Sequence, residues 1–208
     1  MDRFNSSIDL SKILDETSRF YTLSKRIIDV IASIIGIIVL SPLLLLVAIL
    51  IKVDSKGPII FKQVRVGKDS KPFNIYKFRS MKINTPNLST EEFVDASKFI
   101  TKVGWFIRKT SIDELPQLFN ILKGDMSIVG PRPVIEKETR LLELRKKYKV
   151  DKIPPGITGL AQINGRDNID DYEKVEYDLN YLINRSLILD IKIIIKTFLK
   201  VVKSEGIK

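Results

Sequence analysis

The chain has 208 residues and a mass of 23.8 kDa, which fits one domain or one domain plus an appendage, and this length is enough to bury a core of its own. It contains no cysteine and no histidine, so disulfides, thiol nucleophiles, imidazole catalysis and zinc sites built on these residues are excluded. The 35 Lys and Arg residues against 25 Asp and Glu give a net charge of +10. This excess indicates an anionic partner such as a nucleic acid, a phosphorylated substrate or an acidic membrane surface.

The N-terminal part of the chain holds a polar segment and then a long apolar run. Residues 1–20 are polar with scattered apolar positions and predict one short amphipathic helix. From Ile27 to Ile51 the one charged residue is Asp29. As a straight helix at ~1.5 Å per residue the run would reach about 37 Å, enough to cross a hydrocarbon core of ~30 Å. It begins too late and is too long for a cleavable signal sequence.

Ser41 and Pro42 lie just past the middle of this apolar run. Proline removes a helical hydrogen bond and predicts a kink, and the serine hydroxyl can bond to a carbonyl three or four residues earlier. Basic residues flank both ends of the run, which places both ends on the cytoplasmic side: Lys25, Arg26, Lys52, Lys56, Lys62, Arg65 and Lys68. These features favour a re-entrant hairpin over residues 21–54. A proline-kinked transmembrane anchor is the alternative.

Two further elements follow from the hydrophobic pattern. Between Lys52 and Lys82, short apolar segments around glycine and proline predict a small β-hairpin. Residues 187–203 predict an amphipathic helix with four lysines along one face. Such a helix suits the headgroup region of an anionic membrane. A core-facing helix with a solvated lysine face is the alternative interpretation.

Adjacent carboxylates, Asp113 and Glu114, precede a helical pattern of apolar residues that ends at Gly124. That pattern consists of Leu115, Leu118, Phe119 and Leu122. Because Pro116 is tolerated only in the first turn, we expect the helix to begin near Asp113, with Asp113 as its N-cap. The positive end of the helix dipole favours the ionised form of both carboxylates.

An acidic pair at a helix start most often caps the helix and complements its dipole. Here cations surround the pair, because Arg108 and Lys109 precede it and a Gly-Pro-Arg-Pro segment at 130–133 follows it. Neighbouring side chains on a helix diverge by about 100°, which argues against a glycosidase pair. A phosphate centre fits better: one carboxylate attacks phosphorus, the other holds Mg²⁺ against a diphosphate, and arginines neutralise the remaining oxygens.

The segment 153–166 contains two prolines, three glycines and several amides. This composition predicts a rigid loop with exposed backbone donors that suits a nucleotide or a sugar. A structural turn between helices is the alternative.

Four ordered motifs behind the Ser-Pro insert resemble the bacterial sugar transferase family, the monotopic phosphoglycosyl transferases that act on polyprenyl phosphate. The resemblance extends from about Leu23 to Val202, and its motifs are Lys77–Met81, Ser111–Leu118, Gly124–Pro133, and Pro155–Gly159 running on to Gly165 and Arg166. It implies an α+β fold, mostly α: a monotopic membrane protein with a re-entrant helix broken at Ser41-Pro42, interfacial amphipathic helices and a small β-hairpin. The implied organisation is a polar tail over 1–20, a membrane hairpin over 21–54 and a cytoplasmic catalytic domain over 55–208.

The resemblance also implies an activity and a set of site residues. The expected reaction transfers a sugar 1-phosphate from a UDP-sugar to undecaprenyl (polyprenyl) phosphate with release of UMP, at the cytoplasmic face of the bacterial inner membrane, as the first membrane step of glycoconjugate assembly. Asp113 matches the nucleophile that forms a covalent phosphosugar intermediate. Glu114, together with Asp113, is expected to hold Mg²⁺, and Arg108 matches a position near the lipid phosphate. The residues expected to bind the nucleotide sugar are Lys77, Arg79, Arg132, Gln162 and Arg166.

The expected partners are a UDP-sugar donor, a polyprenyl phosphate acceptor and anionic membrane lipids; nucleic acid is not expected, and a homodimer is left open. The chain looks like the small catalytic form, without the additional transmembrane bundle of larger relatives. Two rival functions remain. A membrane-anchored basic protein that binds nucleic acid or anionic lipid would not need Asp113. A membrane phosphohydrolase would use the same carboxylate with water as acceptor. No pattern identifies the sugar.

Overall fold

A computed structural model describes residues 9–16, 19–85, 96–165 and 168–202. The fold is mostly helical, with two small sheets of two strands each in the described part of the chain. The helices are α1 (Leu10–Glu16), α2 (Arg19–Asp54), α3 (Lys102–Lys109), α4 (Gln117–Lys123), α5 (Thr139–Lys147), α6 (Leu160–Asn164), α7 (Asp171–Asn184) and α8 (Leu187–Val202). The strands are β1 (Ile60–Val66), β2 (Pro72–Phe78), β3 (Ser127–Val129) and β4 (Gly156–Thr158).

The apolar run forms α2, a helix of 36 residues that is long and apolar enough to cross a membrane. Its helical assignment continues through Pro42, so the proline does not end the helix. The Ser41 hydroxyl donates to the carbonyl of Ile38 at 2.7 Å, which confirms the predicted bond to an earlier carbonyl. The re-entrant path of α2 stays a prediction at this point.

The N-terminal half of α2 is hydrogen-bonded to the domain that follows it. Arg26 donates from Nη1 to the carbonyl of Ile121 at 2.6 Å and from Nη2 to the carbonyl of Leu122 at 2.9 Å. Asp29 is buried and accepts a bond from the backbone N–H of Ile128 at 3.1 Å. Arg26 thereby satisfies carbonyls at the end of α4, where a cation also complements the helix dipole.

The C-terminal half of α2 packs against the same domain. Val47 and Ile51 lie in one buried cluster with Phe78 of β2 and Ile107 of α3. One turn further along the helix, Asp54 accepts the backbone N–H of Val103 at 3.1 Å. Both halves of α2 are therefore attached to a single body.

The outward side of α2 is an exposed apolar surface, made of Leu23, Ile27, Ile28, Ile31, Ile34, Ile35, Ile38, Val39, Leu45, Leu46, Ile49, Leu50 and Val53. Trp105 and Phe106 of α3 are also exposed. On α8, Ile193 is buried, whereas Ile191, Ile195 and Phe198 of the predicted apolar face are exposed. The predicted helix is confirmed from Leu187 to Val202, with Lys203 outside the described residues, and these three apolar side chains do not face the core.

The predicted hairpin is confirmed as the antiparallel pair β1–β2. Its connection turns at Asp69 and Ser70, both at positive φ. Asn120 fixes α4 to β2, because its side chain accepts from the N–H of Tyr76 at 2.9 Å and donates to the carbonyl of Asn74 at 2.7 Å. Hairpin and α4 are thus held in one arrangement by a fully buried amide.

The sequence predicted one rigid loop over residues 153–166, and the structure differs from this prediction. The segment contains β4, which pairs in parallel with β3, and then α6. Strands of three residues are too short to show an alternating pattern, so their pairing has no sequence signal. The predicted N-terminal helix is present as α1, whose Leu10 and Leu14 pack against a cluster containing Leu179 and Leu182 of α7.

Candidate active site

The acidic pair lies in a 3-10 turn, Ile112–Glu114, between α3 and α4. The N-cap of α4 is Pro116, not Asp113 as predicted, and the helix begins at Gln117. Pro116 has no N–H to donate, and the turn before it closes with tighter bonds, such as Leu115 N–H to the Ile112 carbonyl at 3.1 Å. The helix has seven residues and begins four positions after Asp113. Its dipole therefore interacts with the Asp113 carboxylate more weakly than a helix that began at Asp113 would.

The buried face of α4 also differs from the prediction. Ile121 and Asn120 are fully buried, while Phe119, assigned to the apolar stripe, is 47 % exposed. Asn120 replaces an apolar residue at the contact with β2, which shifts the buried face by one position. Phe119 instead adds to the exposed apolar surface of the molecule.

The structure brings four predicted residues together at this turn. Asp113 is buried, with 8 % of its surface exposed. Glu114 accepts a bond from Lys77 of β2 at 2.7 Å, and its Oε1 lies 3.6 Å from Nη2 of Arg132. Two cations therefore converge on one carboxylate, and Asp113 is its neighbour in the chain.

Arg132 follows β3, and its backbone is held by a buried ion pair that the sequence did not reveal. Arg145 of α5 donates to the carbonyl of Arg132 at 2.7 Å and to the Asp178 carboxylate at 2.7 Å. Burial raises the pKa of Asp178, and the Arg145 charge acts in the opposite direction. Arg145 stands among several basic residues of α5, so no pattern distinguishes it.

Gln162 reaches the same region because β3 and β4 are parallel. Arg132 follows the carboxyl end of β3 and Gln162 follows that of β4, and parallel strands place these ends at one edge. Among the described residues, neither the oxygen nor the nitrogen of the buried Gln162 amide has a hydrogen-bond partner. An unpaired buried amide is unfavourable without a ligand or water, which favours the predicted binding role.

Arg79 has a different environment from the one predicted. Its guanidinium is buried and donates to the carbonyls of Lys56 and Ser55, at 3.0 and 2.7 Å, and to the Ser55 hydroxyl at 2.8 Å. These contacts terminate α2 and engage Nη1 and Nη2, while the buried Nε has no hydrogen-bond partner among the described residues. The structure therefore gives Arg79 a structural role, and nucleotide binding by this residue stays a prediction.

Arg108 and Arg166 complete the predicted set. Arg108 lies half-buried in the last turn of α3, and its carbonyl accepts the N–H of Ser111 at 3.1 Å, next to the turn that carries Asp113. Arg166 lies outside the described residues.

The donor set at Asp113 and Glu114 fits a magnesium ion in one specific way. The described residues contain no group of three acidic side chains that would form a metal cage by themselves. Magnesium usually takes one or two carboxylates and completes its octahedron with water and substrate phosphates. The two adjacent carboxylates match that requirement only together with a phosphorylated substrate.

Comparison with known proteins identifies the family. Residues 20–204 match the family model described as bacterial sugar transferase. The chain belongs to this family. It is 46% identical over 186 residues to the UDP-glucose:undecaprenyl-phosphate glucose-1-phosphate transferase of Klebsiella pneumoniae. It is 42% identical over 196 residues to the UDP-N-acetylgalactosamine-undecaprenyl-phosphate N-acetylgalactosaminephosphotransferase of Aeromonas hydrophila.

These sugar transferases differ in length. The matched region covers 85% of this chain but 39% of the Klebsiella protein, and 91% of this chain but 46% of the Aeromonas protein. An uncharacterized sugar transferase of Bacillus subtilis (strain 168), EpsL, is 43% identical over 187 residues, which cover 88% of this chain and 90% of the Bacillus protein. The chain thus spans less than half of the two longer relatives.

Proposed function

We propose that this sugar transferase moves a sugar 1-phosphate from a UDP-sugar to undecaprenyl phosphate and releases UMP, starting the assembly of a glycoconjugate. The observation that carries the proposal is the acidic pair itself: Asp113 is buried beside Glu114, and Glu114 is held between Lys77 and Arg132. The names of the Klebsiella and Aeromonas relatives support the same donor and acceptor classes.

The reaction proceeds in two displacements at one phosphorus. A carboxylate oxygen of Asp113 attacks the phosphorus that carries the sugar, and the bond from that phosphorus to the bridging oxygen breaks, so UMP leaves with the electron pair. An oxygen of the polyprenyl phosphate then attacks the same phosphorus and frees Asp113. Each step forms one P–O bond and breaks one. The product is a polyprenyl diphosphate sugar.

The neighbouring residues hold the reacting groups in position and balance their charge in this scheme. Lys77 and Arg132 fix Glu114 and present positive charge where phosphate oxygens gather. Gln162 offers the donor an amide that has no hydrogen-bond partner among the described residues. Asp113 and Glu114 would hold a Mg²⁺ ion, which when bound neutralises charge on the diphosphate. Arg108 is proposed to bind the lipid phosphate.

Intact-mass measurement tests the covalent step directly. The detergent-solubilised protein is incubated with Mg²⁺ and a panel of UDP-sugars, without lipid acceptor. A panel is needed because similarly related proteins are named for glucose and for N-acetylgalactosamine. We expect one donor to add the mass of its sugar phosphate to the chain and to release UMP. Adding a polyprenyl phosphate should then remove the added mass.

Two outcomes contradict the scheme. Turnover with lipid acceptor while no adduct forms without it would exclude the covalent intermediate. Release of free sugar phosphate at the same rate with and without polyprenyl phosphate would identify a phosphohydrolase instead.

We propose a monotopic position at the cytoplasmic face of the inner membrane: the contacts of α2 support the monotopic path, and the basic residues at both ends of the apolar run support the cytoplasmic face. A Cβ added to Gly36 would lie 3.2 Å from Leu118 of α4, and Leu43 packs against the cluster that joins α2 to α3 and β2. The seven helical steps from Gly36 to Leu43 extend about 10 Å at ~1.5 Å per residue, too short for a hydrocarbon core of ~30 Å. If α2 spanned the bilayer, the polar domain surface that contacts the middle of α2 would lie in lipid, which is unfavourable. We infer that α2 enters and leaves through one leaflet, with Ser41 and Pro42 at its deepest point.

Cysteine labelling in cells tests this topology, since the chain has no native cysteine. Arg19→Cys and Lys56→Cys place single thiols at exposed positions before and after the apolar run, and Val39→Cys places one at its exposed centre. A membrane-impermeant maleimide should label neither flank in intact spheroplasts and both flanks after lysis, with Val39→Cys protected throughout. One flank reacting before lysis would establish a transmembrane helix.

A further inference from the structure

Arg65 lies on the face of the hairpin that leads to the acidic pair. In the antiparallel register Gln63 pairs with Ile75 and Phe61 pairs with Lys77, so these four residues share one face with Arg65. Lys77 on that face bonds to the carboxylate of Glu114. Arg65 therefore lies on the same face of the hairpin as Lys77, which contacts the candidate active site.

A backbone bridge brings the Arg132 loop next to Arg65. The N–H of Val66 donates to the carbonyl of Val134 at 2.9 Å, and this bridge joins β1 to the segment two residues after Arg132. Burial, and next the charge of Arg132, lower the pKa of Arg65 to about 10, against a smaller opposing effect of Glu138 and Glu114. The positive charge of Arg132 therefore acts against the charged form of Arg65.

The protein satisfies only part of the Arg65 guanidinium. Its Nη2 donates to the side-chain oxygen of Gln63 at 2.7 Å. Its Nη1 lies 3.8 Å from Glu138, too far for a hydrogen bond. Its Nε is buried and has no hydrogen-bond partner among the described residues. Glu138 and Glu114 balance part of the charge of the two arginines, and the buried Nε of Arg65 still lacks an acceptor among the described residues.

We propose that Arg65 and Arg132 together bind one phosphate group of a substrate; this inference deepens the proposed function and rests on it. The planar fork of a guanidinium matches phosphate oxygens, and a phosphate placed between two arginines converts their repulsion into attraction. The phosphate belongs either to the diphosphate of the nucleotide sugar or to the prenyl phosphate. Both sources share the same chemistry.

Binding measurements on the full chain in detergent separate the two sources. One arm titrates UDP and the other titrates a short-chain prenyl phosphate, with Arg65→Gln compared with the native protein. The matched control is Lys62→Gln, which removes one positive charge from an exposed position on the opposite face of the same strand. We expect Arg65→Gln to weaken one ligand about tenfold, the loss typical of one charge-assisted hydrogen bond, and Lys62→Gln to weaken neither.

The arm that weakens identifies the phosphate. Unchanged binding of both ligands by Arg65→Gln, or equal weakening by Lys62→Gln, would overturn the proposal. If Arg65→Gln does not fold, Arg65→Lys is measured instead, because lysine keeps the positive charge but lacks the planar guanidinium. Unchanged binding of both ligands by Arg65→Lys would also overturn the proposal. The sugar-phosphate adduct of the native protein, measured in parallel, decides the proposed function separately, since the binding arms need no turnover.

Discussion

Asp113→Asn should lower sugar-phosphate transfer about 10³-fold or more and should prevent the covalent adduct, since an amide cannot displace UMP from phosphorus. Asp113 is buried in the turn between α3 and α4. Because asparagine has nearly the same shape as aspartate, the fold should persist. The measurement is the initial rate of UMP release with donor and lipid, together with the mass of the chain after incubation with donor alone.

Asp125→Asn is the matched control for this change. Asp125 lies just past the other end of α4, where it accepts a bond from Asn120 at 3.2 Å, and the amide oxygen of Asn keeps an acceptor there. The control removes the same charge at the same size and should retain activity within about a factor of three. A native rate for Asp113→Asn, with its melting temperature unchanged, would assign the nucleophile elsewhere.

Gly104→Ala should be strongly destabilising, although helix propensity alone predicts the opposite sign. Alanine in a helix is favoured over glycine by about 1 kcal/mol. In α3, however, a Cβ at Gly104 would overlap the carbonyl oxygen of Ser80 and would lie 2.7 Å from the hydroxyl oxygen of Thr101. We expect a loss of about 3 kcal/mol. For a chain of this size that corresponds to a fall in melting temperature of roughly 6–12 °C.

Gly36→Ala provides the comparison within the same protein. Its Cβ would meet the end of the flexible Leu118 side chain, which can move, so the expected change in stability is within about 1 kcal/mol. Both variants are measured by thermal unfolding in the same detergent. Equal melting temperatures for the two would show that α3 does not pack on Ser80 as closely as described. Because α3 leads into the turn at Asp113, Gly104→Ala should also lose activity before it unfolds.

Several elements were predictable because their signals are local. Alternating apolar segments around glycines and prolines identified β1–β2, and the period of apolar residues identified α8. The Ser41 bond to Ile38 followed from the chemistry of a hydroxyl before a proline. The motif resemblance led to Asp113, Glu114, Lys77 and Arg132, which the fold brings into one group.

Other features depend on long-range contacts that no local pattern encodes. The three-residue strands β3 and β4 pair residues that lie 29 positions apart in the chain, and their pairing places Gln162 near the loop of Arg132. The predicted N-cap was wrong because a proline can itself occupy that position and leave the acidic pair in a 3-10 turn. Arg79 belongs to the same motif as Lys77, yet it faces the end of α2. Only the fold separates a residue at the site from one that supports it.

The bonds from α2 to the domain join the membrane segment and the acidic turn into one rigid piece. Arg26 is bonded to the end of the short helix that begins just after Asp113, and Asp29 is bonded to β3, which leads to Arg132. The anchor cannot sink or rise in the lipid without carrying both groups with it. In the proposed function, the thickness of the leaflet that holds α2 would therefore set the height at which Asp113 meets the phosphate of the lipid acceptor, and the rate would depend on acyl-chain length even when the acceptor concentration is held constant.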